Sequence, residues 1–290
     1  MTVRTTRAVA LLVVALFAQV LLVAGSTPAG AVIGGTPATE GQYPFLALLL
    51  VQVPSGGGSA NGAPPGYAEY CGGSLIAEQW VLTAAHCVTD GAPPKPDAVL
   101  IGRMVSTDTT AGDMNSAKAV FVNPGFNANT LENDTALIEL NQPSPEAEIP
   151  IIDESQAALM AGGTATTVIG VGNTSADNPD SQASTVQTAP QTLGADTACR
   201  TAVGPGFIAA SMICSAQGST SPCFGDSGGP LFAATASGPI QVGVVSHGPA
   251  QCGSQPSVYS RLAAERTWIR DTIASLPGPI TRLAGADRIA

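Results

Sequence analysis

The feature that most constrains this chain is a succession of short apolar runs punctuated by Gly, Pro, Ser and Asn. A first set lies at Tyr43–Val53, Cys71–Ile76, Trp80–Thr83, Val99–Ile101, Ala119–Val122 and Ala136–Leu140. Asn141–Glu154 is rich in Pro and acids and reads as a crossover. A second set follows at Ala165–Val171, Val186–Thr188, Ser211–Cys214, Pro230–Ala233, Gln241–Ser246 and Ser257–Ser260. Evenly spaced short strands with turn residues between them argue for all-β barrels rather than helices. Helical spacing is read only near the end, from about Ala263 to Leu276, with Trp268, Ile269, Ile273 and Leu276 on one side and Pro277 as the stop. A chain of 290 residues accommodates one large domain or two small barrels.

Composition narrows the partners. Charged residues make up only 11% of the chain and the formal net charge is −10. An acidic chain without a Lys/Arg cluster has no electrostatic footprint for nucleic acid and no basic patch for an anionic membrane. Arg4 and Arg7 precede an apolar run from Ala8 to Ala24, and Ala29-Gly30-Ala31 supplies small residues of the kind signal peptidase reads. Residues 1–31 are therefore expected to be a secretory signal peptide; a retained anchor is the alternative, disfavoured because the run is short for a bilayer. The two Arg are not adjacent, which favours the general secretory route over the twin-arginine one. Six Cys behind such a leader read as disulfides, and composition leaves their pairing open. No C-x-x-C occurs and the only His are His86 and His247, so no metal site is expected.

The chemistry concentrates in three stretches. In Pro222-Cys223-Phe224-Gly225-Asp226-Ser227-Gly228-Gly229-Pro230 a Ser sits on a tight, uncrowded turn whose backbone N–H groups are free to face a ligand. A nucleophile with an oxyanion hole needs that setting, although a Gly-rich surface turn looks the same by itself. Thr83-Ala84-Ala85-His86-Cys87 lies upstream, and Asn133-Asp134-Thr135-Ala136-Leu137-Ile138 lies between. Together the three resemble the chymotrypsin/trypsin-like serine proteases, in that family's order of His, Asp, Ser.

The resemblance covers Val32 to Leu276. It implies two six-stranded antiparallel β-barrels, at residues 32–145 and 146–276, a C-terminal α-helix, and an active site in the cleft between barrels. The implied catalytic residues are His86, Asp134 and Ser227, with Ser246 supporting Asp134 and the N–H groups of Gly225 and Ser227 as the oxyanion hole. It further implies disulfides Cys71–Cys87, Cys199–Cys214 and Cys223–Cys252, and an activation ion pair between the free amine of Val32, in Val32-Ile33-Gly34-Gly35, and Asp226. No cofactor is required. The expected partners are polypeptide substrates of a secreted monomer, with no nucleic acid and no membrane once the leader is removed.

Alignment within the resemblance puts Ser221 at the base of the specificity pocket and Gly248 and Ser257 on its walls. No acid occurs from Ser215 to Gly225 or from Ser246 to Ser260, so medium or large apolar residues are expected before the scissile bond. His247 departs from the family, which usually has Trp there. The tail, residues 277–290, contains Arg282-Leu283-Ala284-Gly285-Ala286-Asp287-Arg288 and resembles the start of a bacterial cell-wall-binding repeat, which implies a bacterial source and a weak wall association; a disordered polar tail is the alternative. A non-catalytic protease-like binding module is the other functional class. An α/β-hydrolase is disfavoured because Asp226-Ser227-Gly228 lacks the first Gly of Gly-x-Ser-x-Gly and His86 precedes the Ser.

Overall fold

In the computed structural model of the chain, residues 32–54, 63–89, 95–106, 108–178 and 181–276 are described. Residues 1–31, the expected signal peptide, and residues 277–290, the expected tail, lie outside them.

Two antiparallel sheets, each curled into a half-barrel, carry the fold. In chain order the strands are β1 (Thr36–Pro37), β2 (Leu46–Gln52), β3 (Tyr67–Ala77), β4 (Trp80–Thr83), β5 (Ala98–Ile101), β6 (Asp113–Asn115), β7 (Ala117–Val122) and β8 (Ala136–Leu140). Then follow β9 (Ala165–Gly170), β10 (Gln187–Thr192), helix α1 (Asp196–Val203), β11 (Met212–Cys214), β12 (Pro230–Thr235), β13 (Gly238–His247), β14 (Val258–Arg261) and helix α2 (Leu262–Ser275). One sheet has the order β6-β5-β2-β3-β4-β8-β7, the other β1-β10-β9-β12-β13-β14-β11. Each has seven strands rather than six, and each includes a short strand at one edge: β6 with three residues, β1 with two. Such short segments carry too few residues for alternation to show in the sequence.

The crossover between the sheets is stitched to both. Ser144 N donates to Glu78 O at 2.7 Å and Ile149 N to Leu75 O at 2.9 Å, while Ile152 N reaches Gln241 O on β13 at 2.9 Å. Asp153 then caps a 3-10 turn at Glu154–Met160 in a reciprocal box with Gln156. Apolar side chains from both sheets form one continuous core. Phe45, before β2, meets Phe232 of β12 edge-to-face at 5.6 Å, and the buried Ser74 hydroxyl donates to Gln241 Oε1 at 2.7 Å. The two half-barrels therefore cannot slide without breaking buried contacts.

Helices depart from expectation in two ways. α1 is an eight-residue helix where the sequence showed no helical spacing, because it buries only Cys199, which is tied to Cys214 of β11. In α2 the buried stripe is Leu262, Glu265, Ile269 and Ile273; Trp268, and Leu276 just past the helix end, are only partly buried. An acid thus occupies a position on the inner face. α2 packs over β13. Truncating Ile269, fully buried in the core, to Ala is expected to cost about 2–5 kcal/mol in denaturant unfolding. Arg270→Ala, which removes an exposed pair with Asp271, is expected to cost under about 1 kcal/mol.

Candidate active site

His86 lies in a 3-10 turn, Ala85–Val88, directly after β4. The disulfide Cys71–Cys87 fastens this turn to β3. Asp134 lies just before β8, the neighbour of β4, so the same sheet brings both residues to one end. Asp134 is completely buried, and its carboxylate is filled with donors. Oδ1 accepts the His86 backbone N–H at 2.9 Å; Oδ2 meets His86 Nδ1 at 2.8 Å and accepts the Ser246 hydroxyl at 2.6 Å. Burial alone would push the Asp134 carboxyl up, but the hydrogen bond and charge of the His86 ring, the Ser246 hydroxyl and the His86 N–H outweigh it and hold it below its usual range. An ionised Asp134 accepts only, so His86 Nδ1 is the donor in that contact and Nε2 is the ring nitrogen that the carboxylate does not engage.

Ser227 comes from the other sheet, in the segment before β12. Its placement is set by glycines. Gly225 and Gly228 have φ of 96° and 81°, in the left-handed region, and a Cβ on Gly228 would lie 2.3 Å from Thr83 Oγ1 and 2.4 Å from Gly72 O. Gly72 of β3 donates its N–H to Ser227 O at 2.7 Å. The Ser-bearing turn is therefore pressed against β3 and β4, which brings it to the His86 side. His86 and Ser227 line one cleft of about 300 Å³, without a hydrogen bond between them. Neither Gly225 N–H nor Ser227 N–H has an acceptor among the described residues. The disulfide Cys223–Cys252 ties this segment to the loop after β13.

Asp226 points the other way and is 1% exposed. Its Oδ1 accepts from Gly172 N and its Oδ2 from Cys223 N, both at 2.9 Å. Burial pushes the carboxyl up to about 7, against those two bonds. Gly170 and Gly172 make the room: a Cβ at either would lie 2.0 or 2.6 Å from the carboxyl group. Val32 is fully buried, Ile33 exchanges two backbone hydrogen bonds with Ser221 (2.8 and 3.1 Å), and Val32 has φ of 59°. For a β-branched residue that conformation is strained. In the full chain Val32 is bonded to Ala31 and carries no free amine.

Ser257 and Gly248 line the cleft, together with Val245, His247 and Pro249. Ser221 is not among the lining residues; its hydroxyl meets Ser257 Oγ at 3.0 Å and Pro222 O at 2.8 Å. No acidic side chain lines the cleft among the described residues. His247 Nδ1 lies 3.2 Å from Ser246 Oγ, and burial, then the charge of His86, lowers its pKa against the pull of Asp134. Because the Ser246 proton goes to Asp134, His247 is the donor in that contact. The described residues also group Cys71, His86 and Cys87 as metal-type donors, but both sulfurs are joined to each other.

Several polar residues around the site escaped the sequence reading. Ser260 donates to Asp134 O at 2.9 Å, and Thr135 donates to Glu265 Oε2. Glu69 of β3 is 5% exposed, neither carboxyl oxygen has a partner, and burial followed by the charge of Asp226 pushes its pKa well up. Only one signal pointed to any of them: an acid at Glu265 spaced with Leu262 and Ile269 along one helix face.

The trypsin family model matches residues 32–269. Serine protease 56 of Homo sapiens is 33% identical over 85% of this chain and 39% of its own length. Trypsin of Sus scrofa is 34% identical over 72% of this chain and 87% of its own, and kallikrein-14 of Homo sapiens 32% over 83% and 84%. The chain thus spans about two fifths of the length of the serine protease 56 relatives, including the one from Mus musculus. These relatives are animal proteins and lend no support to a bacterial source or to a wall-binding tail. With the family match running from the buried Val32 to α2, the chain belongs to the trypsin family of serine proteases.

Proposed function

We propose that the protein is a secreted serine endopeptidase that cuts polypeptides through an acyl-enzyme. The observation that carries this reading is the buried, ionised Asp134 bonded to Nδ1 of His86, whose ring lines one cleft together with Ser227. Ser227 Oγ attacks the scissile carbonyl as its proton passes to His86 Nε2. Asp134 stabilises the resulting imidazolium. The N–H groups of Gly225 and Ser227 hold the oxyanion. His86 then returns the proton to the leaving amine, and water, activated by the same ring, releases the acid and restores Ser227. No cofactor enters these steps. The proposed layout is a signal peptide at 1–31, one half-barrel from 32–145 and a second from 146–276 that also takes in β1 of the first segment through its pairing with β10, and a short tail to 290.

Ser227→Ala, His86→Ala and Asp134→Asn are each expected to lower kcat/KM by at least roughly 10³, and a double variant is expected to be hardly worse than a single one. A fluorophosphonate probe is expected to label Ser227 in the wild type. Near-normal turnover by purified Ser227→Ala, or no labelling, overturns the reading in favour of a non-catalytic module.

Specificity for Phe, Tyr, Leu or Met before the cut is supported by the acid-free cleft lining, with Asp226 committed to two backbone donors. A cationic side chain there would be buried without a partner. In a peptide library the apolar residues are expected to exceed Arg and Lys by at least roughly 10². A preference for Arg or Lys overturns this.

Activation is proposed to follow removal of the leader before Val32. The cut frees Val32 from its strained φ and creates an ammonium for Asp226. A buried carboxyl with a raised pKa binds its proton more tightly when folded. Its cost to stability therefore grows as pH rises from 3.8 to about 7 in uncut chain, and is relieved by the ammonium. Protein carrying one extra residue ahead of Val32 is expected to lose stability across that window and to be nearly inactive; Asp226→Asn is expected to abolish the pH-dependent loss. Mass spectrometry of secreted protein is expected to find Val32 first. Full activity with residues retained ahead of Val32 overturns the mechanism.

A further inference from the structure

Asp134 sits in a strained turn. Leu131 and Asn133 have φ of 56° and 52°; Asn adopts such left-handed values readily, but for Leu131 they cost free energy and persist only where the surroundings impose them. Within the first half-barrel the turn is held by Asn123, whose backbone N–H donates to Thr135 O at 3.0 Å and whose side chain donates to Thr135 Oγ1 at 3.3 Å. Asn133 adds a bond from its side chain to Gly125 O at 2.9 Å. The remaining anchors come from the far end of the chain. Ser260, the third residue of β14, donates to Asp134 O. Glu265, in the first turn of α2 and 2% exposed, accepts the Thr135 hydroxyl on Oε2.

Glu265 is an unusual anchor. It forms no ion pair among the described residues, and Oε1 has no hydrogen-bond partner. Helix positions on that face otherwise carry Leu262, Ile269 and Ile273. A carboxyl buried this way is costly, and an apolar residue would serve packing better. What it does that an apolar residue could not is accept the Thr135 hydroxyl beside the Asn123 side chain, which itself donates to Thr135. The groups facing it are Thr135, the side chain of Asn123 and the charge of Asp134.

We propose that Glu265 is a positioning residue for the reaction: by holding Thr135 it keeps the 131–135 turn in its strained shape and Asp134 aligned on His86. The inference rests on the triad reading given above. Burial first, then the charge of Asp134, raises the Glu265 carboxyl to about 8 against its bonds to Thr135 and Asn123, so the group is largely neutral at pH 7. Gln is therefore its conservative replacement, matching shape, charge and the acceptor offered to Thr135.

The test compares E265L, E265Q and T135V in purified active protein. E265L and T135V are each expected to lower kcat by roughly ten- to a hundredfold, the scale of a small misplacement of catalytic groups, with KM within about twofold. E265Q is expected to retain most of the kcat. The double variant E265L/T135V is expected to be no worse than E265L, because both break one link. With Asp134 misaligned the imidazolium is less stabilised, so the acid limb of kcat/KM moves to lower pH in E265L and T135V but not in E265Q. A purely structural role would lower the melting temperature and leave kcat and the acid limb of folded protein unchanged. That outcome, or additive losses in the double variant, overturns the proposal. If E265L does not fold, T135V against E265Q decides the question by the same readouts. Labelling of Ser227 by a fluorophosphonate separates the two failures: unlabelled wild type sinks the triad reading, whereas labelled wild type with T135V labelled equally fast sinks this proposal alone.

Discussion

A fully buried carboxylate is the constraint on which the rest of this structure depends. Asp134 has no access to water, so every lone pair must be met by protein or the group would neutralise. The donors that meet it come from three parts of the chain: the 3-10 turn after β4, the end of β13, and, at its backbone carbonyl, β14. Two of these belong to the second sheet. The charge therefore acts as a joint between half-barrels: it is stable only when they are docked, and docking in turn fixes where the His86 ring points.

The same reciprocity governs the Ser227 turn. Gly228 lies against Thr83 and Gly72 so closely that only a residue without a Cβ fits, and Gly72 in turn lies 3.0 Å, as measured from an added Cβ, from Gly229 Cα. Backbone of one half-barrel thus packs directly on backbone of the other. A side chain at any of these glycines would push Ser227 away from His86 by opening the seam. The glycines flanking Ser227 hold two elements in contact; they are not there to loosen the turn.

How much of this is legible in sequence depends on whether a residue obeys or breaks the local pattern. Strands with full apolar runs are read to the residue, as at Trp80–Thr83 and Ala136–Leu140, whereas β1 and β6 are too short to show a period. α1 is hidden because a disulfide replaces the apolar face that would reveal it. His86, Asp134 and Ser227 stand out through their neighbours, small residues and glycines that only a crowded seam requires. Ser260 and Thr135 do not, since a hydroxyl in a strand or beside a turn carries no mark of its partner. Glu265 is the intermediate case. Its acid in an apolar stripe is visible, but its meaning requires knowing that α2 folds back over β13 towards a turn 130 residues earlier.

The two buried acids flanking the cleft, Asp134 and Asp226, show how one fold treats the same side chain in opposite ways. Asp134 receives a hydroxyl, a ring N–H and a backbone N–H, and its pKa falls despite burial. Asp226 receives two backbone N–H groups in the uncut chain, and burial wins, raising it to about 7. The difference between them is one further donor. The Asp226 carboxyl is one donor short by comparison, and Gly170 and Gly172 leave it space that a Cβ would fill. An ammonium supplies what a peptide N–H cannot, a full positive charge with several protons, and it carries no φ to strain. The donors around Asp134 are complete in the chain as it stands, whereas Asp226 is the group to which the proposed activation would add one. On the activation proposed above, a cut before Val32 would add a partner to Asp226 and leave the hydrogen bonds of Asp134 as they stand.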